Sequence, residues 1–131
     1  MNSAEVSEVV DRALEGRRLL SHPFYLRWEA GELSRGELAR YAEQYRHMES
    51  ALPVVLAAVA DRLPAGPARE AVEANLADEL GNPAPHLDLF EDFADALEAA
   101  CHAAPCSATR ELVGLQMRAA SGDPGWALGV I

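Results

Sequence analysis

Glu79 and His86 are the residues of this sequence best placed to do chemistry. Glu79 follows Leu76 by three and Val72 by seven, so on a helix it shares their inward face. Glu70, Glu73 and Asp78 fall elsewhere on that helix and read as solvated surface. His86 precedes Phe90 by four and Phe93 by seven, so it too shares an apolar stripe. The stiff segment Gly81-Asn82-Pro83-Ala84-Pro85 lies between them. The carboxylate therefore ends one helix as the imidazole begins the next, and the two side chains can converge. A carboxylate on an inward face is paired, protonated or bound to a metal. One carboxylate and one imidazole are only part of a metal shell, because a non-haem iron site takes about three protein ligands and a dimetal site about six. A buried Glu–His hydrogen bond, or partial exposure at a helix end, fits the same spacing.

Glu49 also lies on an inward stripe, four after Tyr45 and three before Leu52, where it could line a cavity or sit at the stripe's edge. Tyr25, Tyr41 and Tyr45 read first as core aromatics whose hydroxyls reach a partner. His47 is off the stripe and reads as surface, and His22 before Pro23 as a helix-opening residue. Cys101, His102 and Cys106 are too few for a closed zinc site, so both cysteines read as free thiols. No nucleophile elbow, phosphate loop or dinucleotide fingerprint is present.

The elements that must position these residues are helical throughout, since apolar residues recur at helical spacing and never alternate convincingly. Val6, Val9, Val10, Ala13, Leu14 and Leu20 predict a first stripe closing at about Ser21. A short aromatic helix, Phe24-Tyr25-Leu26-Arg27-Trp28, then stops at Gly31. Ser34 and Glu37 form a capping-box pattern that opens the longest helix, which runs to about Leu63 and should bend at Pro53. A fourth helix carries Val72, Leu76 and Leu80 and ends at Gly81; a fifth carries Phe90, Phe93 and Leu97. After a loop from Cys101 to Cys106, Ser107 is the expected cap of a sixth, and Asp123-Pro124 opens a seventh. The last six residues are apolar or glycine, which predicts either a short docked helix or a chain that stops in mid-element.

The 131 residues suffice for one helical domain, residues 1–131, with a sizeable core. Eleven basic residues, all arginine, stand against 21 acidic ones, for a net charge of −10. That balance argues against nucleic acid and against an anionic membrane surface as partners. No apolar run is long enough to span a membrane, and two cysteines make no disulfide framework, so a cytoplasmic location is expected.

Two segments together resemble the heme-oxygenase-like dimetal oxidases, in the branch of the pyrroloquinoline-quinone C-like proteins and p-aminobenzoate synthases. The first is His22-Pro23-Phe24-Tyr25-Leu26-Arg27-Trp28, with Gly31 and Leu33, then Tyr41-Ala42-Glu43-Gln44-Tyr45 and Leu52-Pro53. The second is Asn75-Leu76-Ala77-Asp78-Glu79 with Gly81, His86, Leu89-Phe90 and Phe93. The resemblance implies an all-α, TenA-like helical bundle, here of about six to seven helices and apparently truncated. By position it makes Glu79 and His86 the first two metal ligands, and it sets Tyr25 and Tyr41 at tyrosines near the metal pocket of a branch that consumes a tyrosine. Tyr45 and Glu49 are possible pocket residues; Glu49 takes a place that is usually apolar, and Arg46 and Met48 also depart from the pattern. The family's later ligands, a glutamate in a YAYE-like segment and a His–acid–His helix, have no match here.

The implied function is iron-dependent, or iron/manganese-dependent, oxidation of a small organic metabolite by dioxygen. This chain alone is expected to be inactive and to hold iron weakly or not at all. The alternatives are a non-catalytic helical module that self-associates, as a homodimer, to cover apolar faces, and a metal-free relative that binds a small molecule.

Overall fold

The structure, a computed structural model, describes residues 2–81 and 83–131; Asn82, in the middle of the expected connector, lies outside the described residues. Helical spacing produces helices and nothing else. Among the described residues there are seven α-helices, one 3-10 turn and no strand. They divide into two compact units, Met1–Ser34 and Arg35–Ile131.

The first unit holds α1 (Ser3–Ala13), the 3-10 turn (Leu19–Ser21) and α2 (Pro23–Glu29). Asn2 caps α1 in a reciprocal box with Glu5, each side chain bonding the other's backbone amide. The first helix is shorter than its stripe predicts. It ends before Leu14 and gives way to a turn in which Gly16 adopts a φ of 69°, a left-handed conformation that L side chains rarely take. Val6, Val9, Val10, Leu14 and Leu20 all remain exposed, so this stripe is not a buried face. The next helix forms as expected. His22 is its cap, its Nδ1 accepting from the Phe24 amide at 3.1 Å, and Pro23 stands at the first position. Gly31, with φ of 70°, closes it: the Glu32 amide reaches the Arg27 carbonyl and the Gly31 amide reaches that of Trp28.

The second unit is built on α3 (Arg35–Arg62), which contains Pro53, as the sequence predicted. It is followed by α4 (Pro67–Glu79), α5 (His86–Ala96), α6 (Ser107–Ala120) and α7 (Pro124–Val130). Val55, Leu56, Val59, Ala60 and Leu63 on and just beyond α3 form the core with Val72 of α4, Ala120 of α6 and Ala127 of α7. Small residues on the later helices let them approach the long one closely. Leu80, expected on the inner stripe of α4, is instead an exposed capping residue, because the helix ends one residue earlier. Ser107 is the first helical residue of α6 and Cys106 occupies the cap position. Asp123 caps α7 as expected, accepting from the Gly125 and Trp126 amides. Among the described residues no helix is long and apolar enough to cross a membrane.

Candidate functional site

The site forms where α4 stops and α5 starts. Glu79 is the last residue of α4 and His86 the first of α5. Gly81 makes the turn between them possible, since a Cβ there would lie 2.6 Å from the Ala77 carbonyl oxygen. His86 Nδ1 and Glu79 Oε2 meet at 3.1 Å, as the spacing predicted. The Glu79 side chain is only 11 % exposed, whereas His86 is 49 % exposed, so the imidazole is half in solvent and not on a buried face. Starting a helix puts the ring at its open end.

Glu79 opposes its helix dipole, since a carboxylate is disfavoured at a helix C-terminus by roughly 0.3–1 kcal/mol. Helix stability therefore does not explain its placement, which is a pattern that functional positions show.

Glu49 reaches the same neighbourhood from α3. Its carboxylate accepts a hydrogen bond from the Tyr45 hydroxyl one turn earlier and feels the charges of Glu79 and His86. Burial, then Glu79, pushes the Glu49 carboxyl above the usual range, while His86 and the Tyr45 hydroxyl pull it down. Its Oε2 atom is buried and has no hydrogen-bond partner. Pro53, four residues on, lacks the amide that would bond to the Glu49 carbonyl, so the helix ladder is interrupted at this residue too. Tyr45 stacks on Tyr41 at 5.1 Å between ring centroids and lies 5.4 Å from Phe90, which lies 5.6 Å from Phe93. Tyr41 and Tyr45 also line a cleft of about 230 Å³ with Gln44, Met48, Thr109 and Leu112.

The sequence-predicted residues Tyr45, Glu49, Glu79 and His86 are thus gathered by α3, α4 and α5, with Tyr41 stacked at the edge. Tyr25 belongs to the first unit, where its ring lies parallel to Trp28 at 6.3 Å and edge-on to Phe24 at 5.3 Å. Two carboxylates and an imidazole are donors that iron(II) and manganese(II) accept, and the orphaned Glu49 oxygen fits a cation nearby. Among the described residues, however, no three His, Cys, Asp or Glu side chains already form a group that could hold a metal ion.

Arg46 and His47 play parts that the spacing did not reveal. Arg46 is largely buried and forks onto Glu91 of α5, Nε to Oε1 and Nη2 to Oε2 both at 2.7 Å, and its Nη1 donates to the Ala100 carbonyl. His47 Nε2 lies 3.0 Å from the Ala103 carbonyl and is not free surface. Gln44 donates to the Ala104 carbonyl and accepts from the Cys106 amide and the Thr109 hydroxyl, while Glu43 accepts from the Ala100 amide. Four α3 side chains, Glu43, Gln44, Arg46 and His47, therefore strap down the loop between α5 and α6. Cys101 and Cys106 are free thiols, as expected.

Comparison with known proteins gives this arrangement a family. The TENA/THI-4/PQQC family profile matches residues 12–104. The 4-aminobenzoate synthase of Chlamydia muridarum (strain MoPn / Nigg) is 34 % identical over 119 residues, which is 87 % of this chain and 50 % of that protein. The 4-aminobenzoate synthase of Chlamydia trachomatis serovar D is 33 % identical over 119 residues, 87 % of this chain and 51 % of that protein. That of Nitrosomonas europaea is 39 % identical over 99 residues, 69 % of this chain and 40 % of that protein. The chain spans about half the length of these curated relatives. With a family match over most of its length and an all-helical fold, the chain belongs to the TENA/THI-4/PQQC family.

Proposed function

We propose that this chain carries part of a dimetal oxidase centre in which Glu79 and His86 hold iron, or one metal of an iron–manganese pair. The whole protein would use dioxygen to oxidise a small organic metabolite, and formation of 4-aminobenzoate, the activity named in its relatives, is the nearest precedent. The observation that carries this reading is the Glu79–His86 pair, closed at 3.1 Å across the α4–α5 turn.

Bound iron supplies the activation of dioxygen. The chain's own residues do the rest. Glu79, mostly shielded from water, brings a carboxylate that favours a cation, and in the metal-free chain its bond to Nδ1 sets the orientation of the His86 ring. Tyr45 holds the Glu49 carboxylate in place. The stacked rings of Tyr41 and Tyr45, with Met48 and Leu112, form an aromatic and apolar wall suited to a small planar molecule. Tyr25 and Tyr41 remain the tyrosines proposed to act in the reaction. Because the described residues supply only part of a metal shell, this chain alone should hold iron weakly and turn over no substrate.

Anaerobic loading with iron(II) or manganese(II), metal analysis and an oxygen electrode test this directly. Loosely held metal, reduced further by Glu79→Gln, with no oxygen uptake beyond that of free iron, is the expected result. Stoichiometric, tightly held iron with sustained oxygen consumption would show the half-site reading to be wrong.

A second reading, a self-associating helical module, is favoured by a groove of about 490 Å³ between α3 and α6, walled by Val54, Val113 and Met117. Val54 and Met117 are exposed. Light scattering decides it: a concentration-dependent dimer supports self-association, and a monomer at high concentration rules it out.

A further inference from the structure

One buried atom is left unused by the two-residue site. Glu49 Oε2 has no hydrogen-bond partner, although its carboxylate is fixed by the Tyr45 hydroxyl. A buried acceptor without a partner costs about 1–3 kcal/mol, so a fold that retains one has either a use for it or a ligand that satisfies it. The surroundings point to a cation. Glu49 stands on α3, Glu79 on α4 and His86 on α5, and these helices pack on one another. Among the described residues no arginine is ion-paired with Glu49 or Glu79; Arg46, the nearest arginine in sequence to Glu49, is spent on Glu91. Negative charge from two helices therefore meets beside one imidazole.

Building on the metal reading above, we propose that Glu49 is a third ligand of the divalent cation held by Glu79 and His86. The three groups are not preassembled. Cation binding would replace the Glu79–His86 hydrogen bond with bonds to the metal and give the orphaned Glu49 oxygen its partner. Carboxylate, carboxylate and imidazole from three helices make a donor set that manganese(II) and iron(II) accept. The third ligand would let the described residues hold a metal more tightly than Glu79 and His86 do by themselves.

The test is a manganese(II) titration of the whole chain, read by the electron paramagnetic resonance signal of the unbound ion, for wild type, Glu49→Gln, Glu49→Leu and Glu79→Gln. Melting curves without metal establish that each variant is folded. Both Glu49 variants should bind at least about tenfold more weakly than wild type, and the metal-induced rise in melting temperature should shrink with them. Wild-type affinity in folded Glu49→Gln and Glu49→Leu, with loss in Glu79→Gln, would overturn this inference and leave the parent reading intact. Absence of binding by wild type at millimolar manganese would overturn both.

Discussion

Two carboxylates reach the seams around α3 and meet opposite fates. Glu91 receives a bidentate arginine fork, and the same Arg46 latches the loop after α5. Glu49, three residues from Arg46 along the chain, keeps one buried oxygen without a partner and sits in the field of a second carboxylate. The first region is chemically complete and has structural work to do. The second is incomplete in the direction that a cation would correct. Satisfied buried groups report on stability, and unsatisfied ones on a ligand.

The largest effect should come from breaking the complete region. Arg46→Met leaves Glu91 without its fork and frees the loop, and should cost about 3 kcal/mol in chemical denaturation. Arg46→Met with Glu91→Met should recover much of that loss, because the uncompensated charge is gone. A single variant as stable as wild type would erase the contrast.

The incomplete region should respond in the opposite sense. The Glu49 carboxyl is raised above its unfolded value, so the folded chain binds that proton more tightly than the unfolded one. Wild type therefore loses stability as pH rises from the unfolded carboxylate range through the raised folded value. Glu49→Gln should match wild type in acid and become the more stable of the two at neutral pH without metal. Melting temperatures across that range check the sign, and a Gln variant that is less stable at neutral pH would contradict it.

The smallest effect serves as a backbone control outside both regions. Glu98 closes α5 with a φ of 56°, where the Ala99 amide reaches the Ala94 carbonyl and that of Glu98 reaches Asp95. Its 3.8 Å pairing with Arg35 is solvent-exposed and contributes little. Glu98→Gly should therefore stabilise the chain by about 1 kcal/mol, with no change in metal affinity.

Much of this was legible in the sequence because helices advertise their inner faces. The stripes of α3 and α4 placed Tyr45, Glu49 and Glu79 on inward positions, and the glycine between α4 and α5 predicted the turn; the stripe of α5 put His86 beside Glu79 but not its half-exposed ring. The cap at Asp123 and the stop at Gly31 were equally local. The strapped loop was not legible. Arg46 and His47 lie beside the stripe, and their partners are largely backbone carbonyls of a loop whose path no periodicity encodes. The first stripe misled for a related reason: amphipathic spacing continues to Leu20, but it cannot report that the chain turns at Gly16 or that those valines stay exposed.

The central claim, that Glu79 and His86 are metal ligands, is tested most directly by anaerobic equilibrium dialysis of iron(II) against wild type and His86→Ala. Dialysis registers weak binding as well as tight binding. The account predicts measurable iron on wild type and at least about a tenfold loss of affinity in the variant. Equal iron on both would contradict it, leaving the 3.1 Å pair as a hydrogen bond between two helix ends.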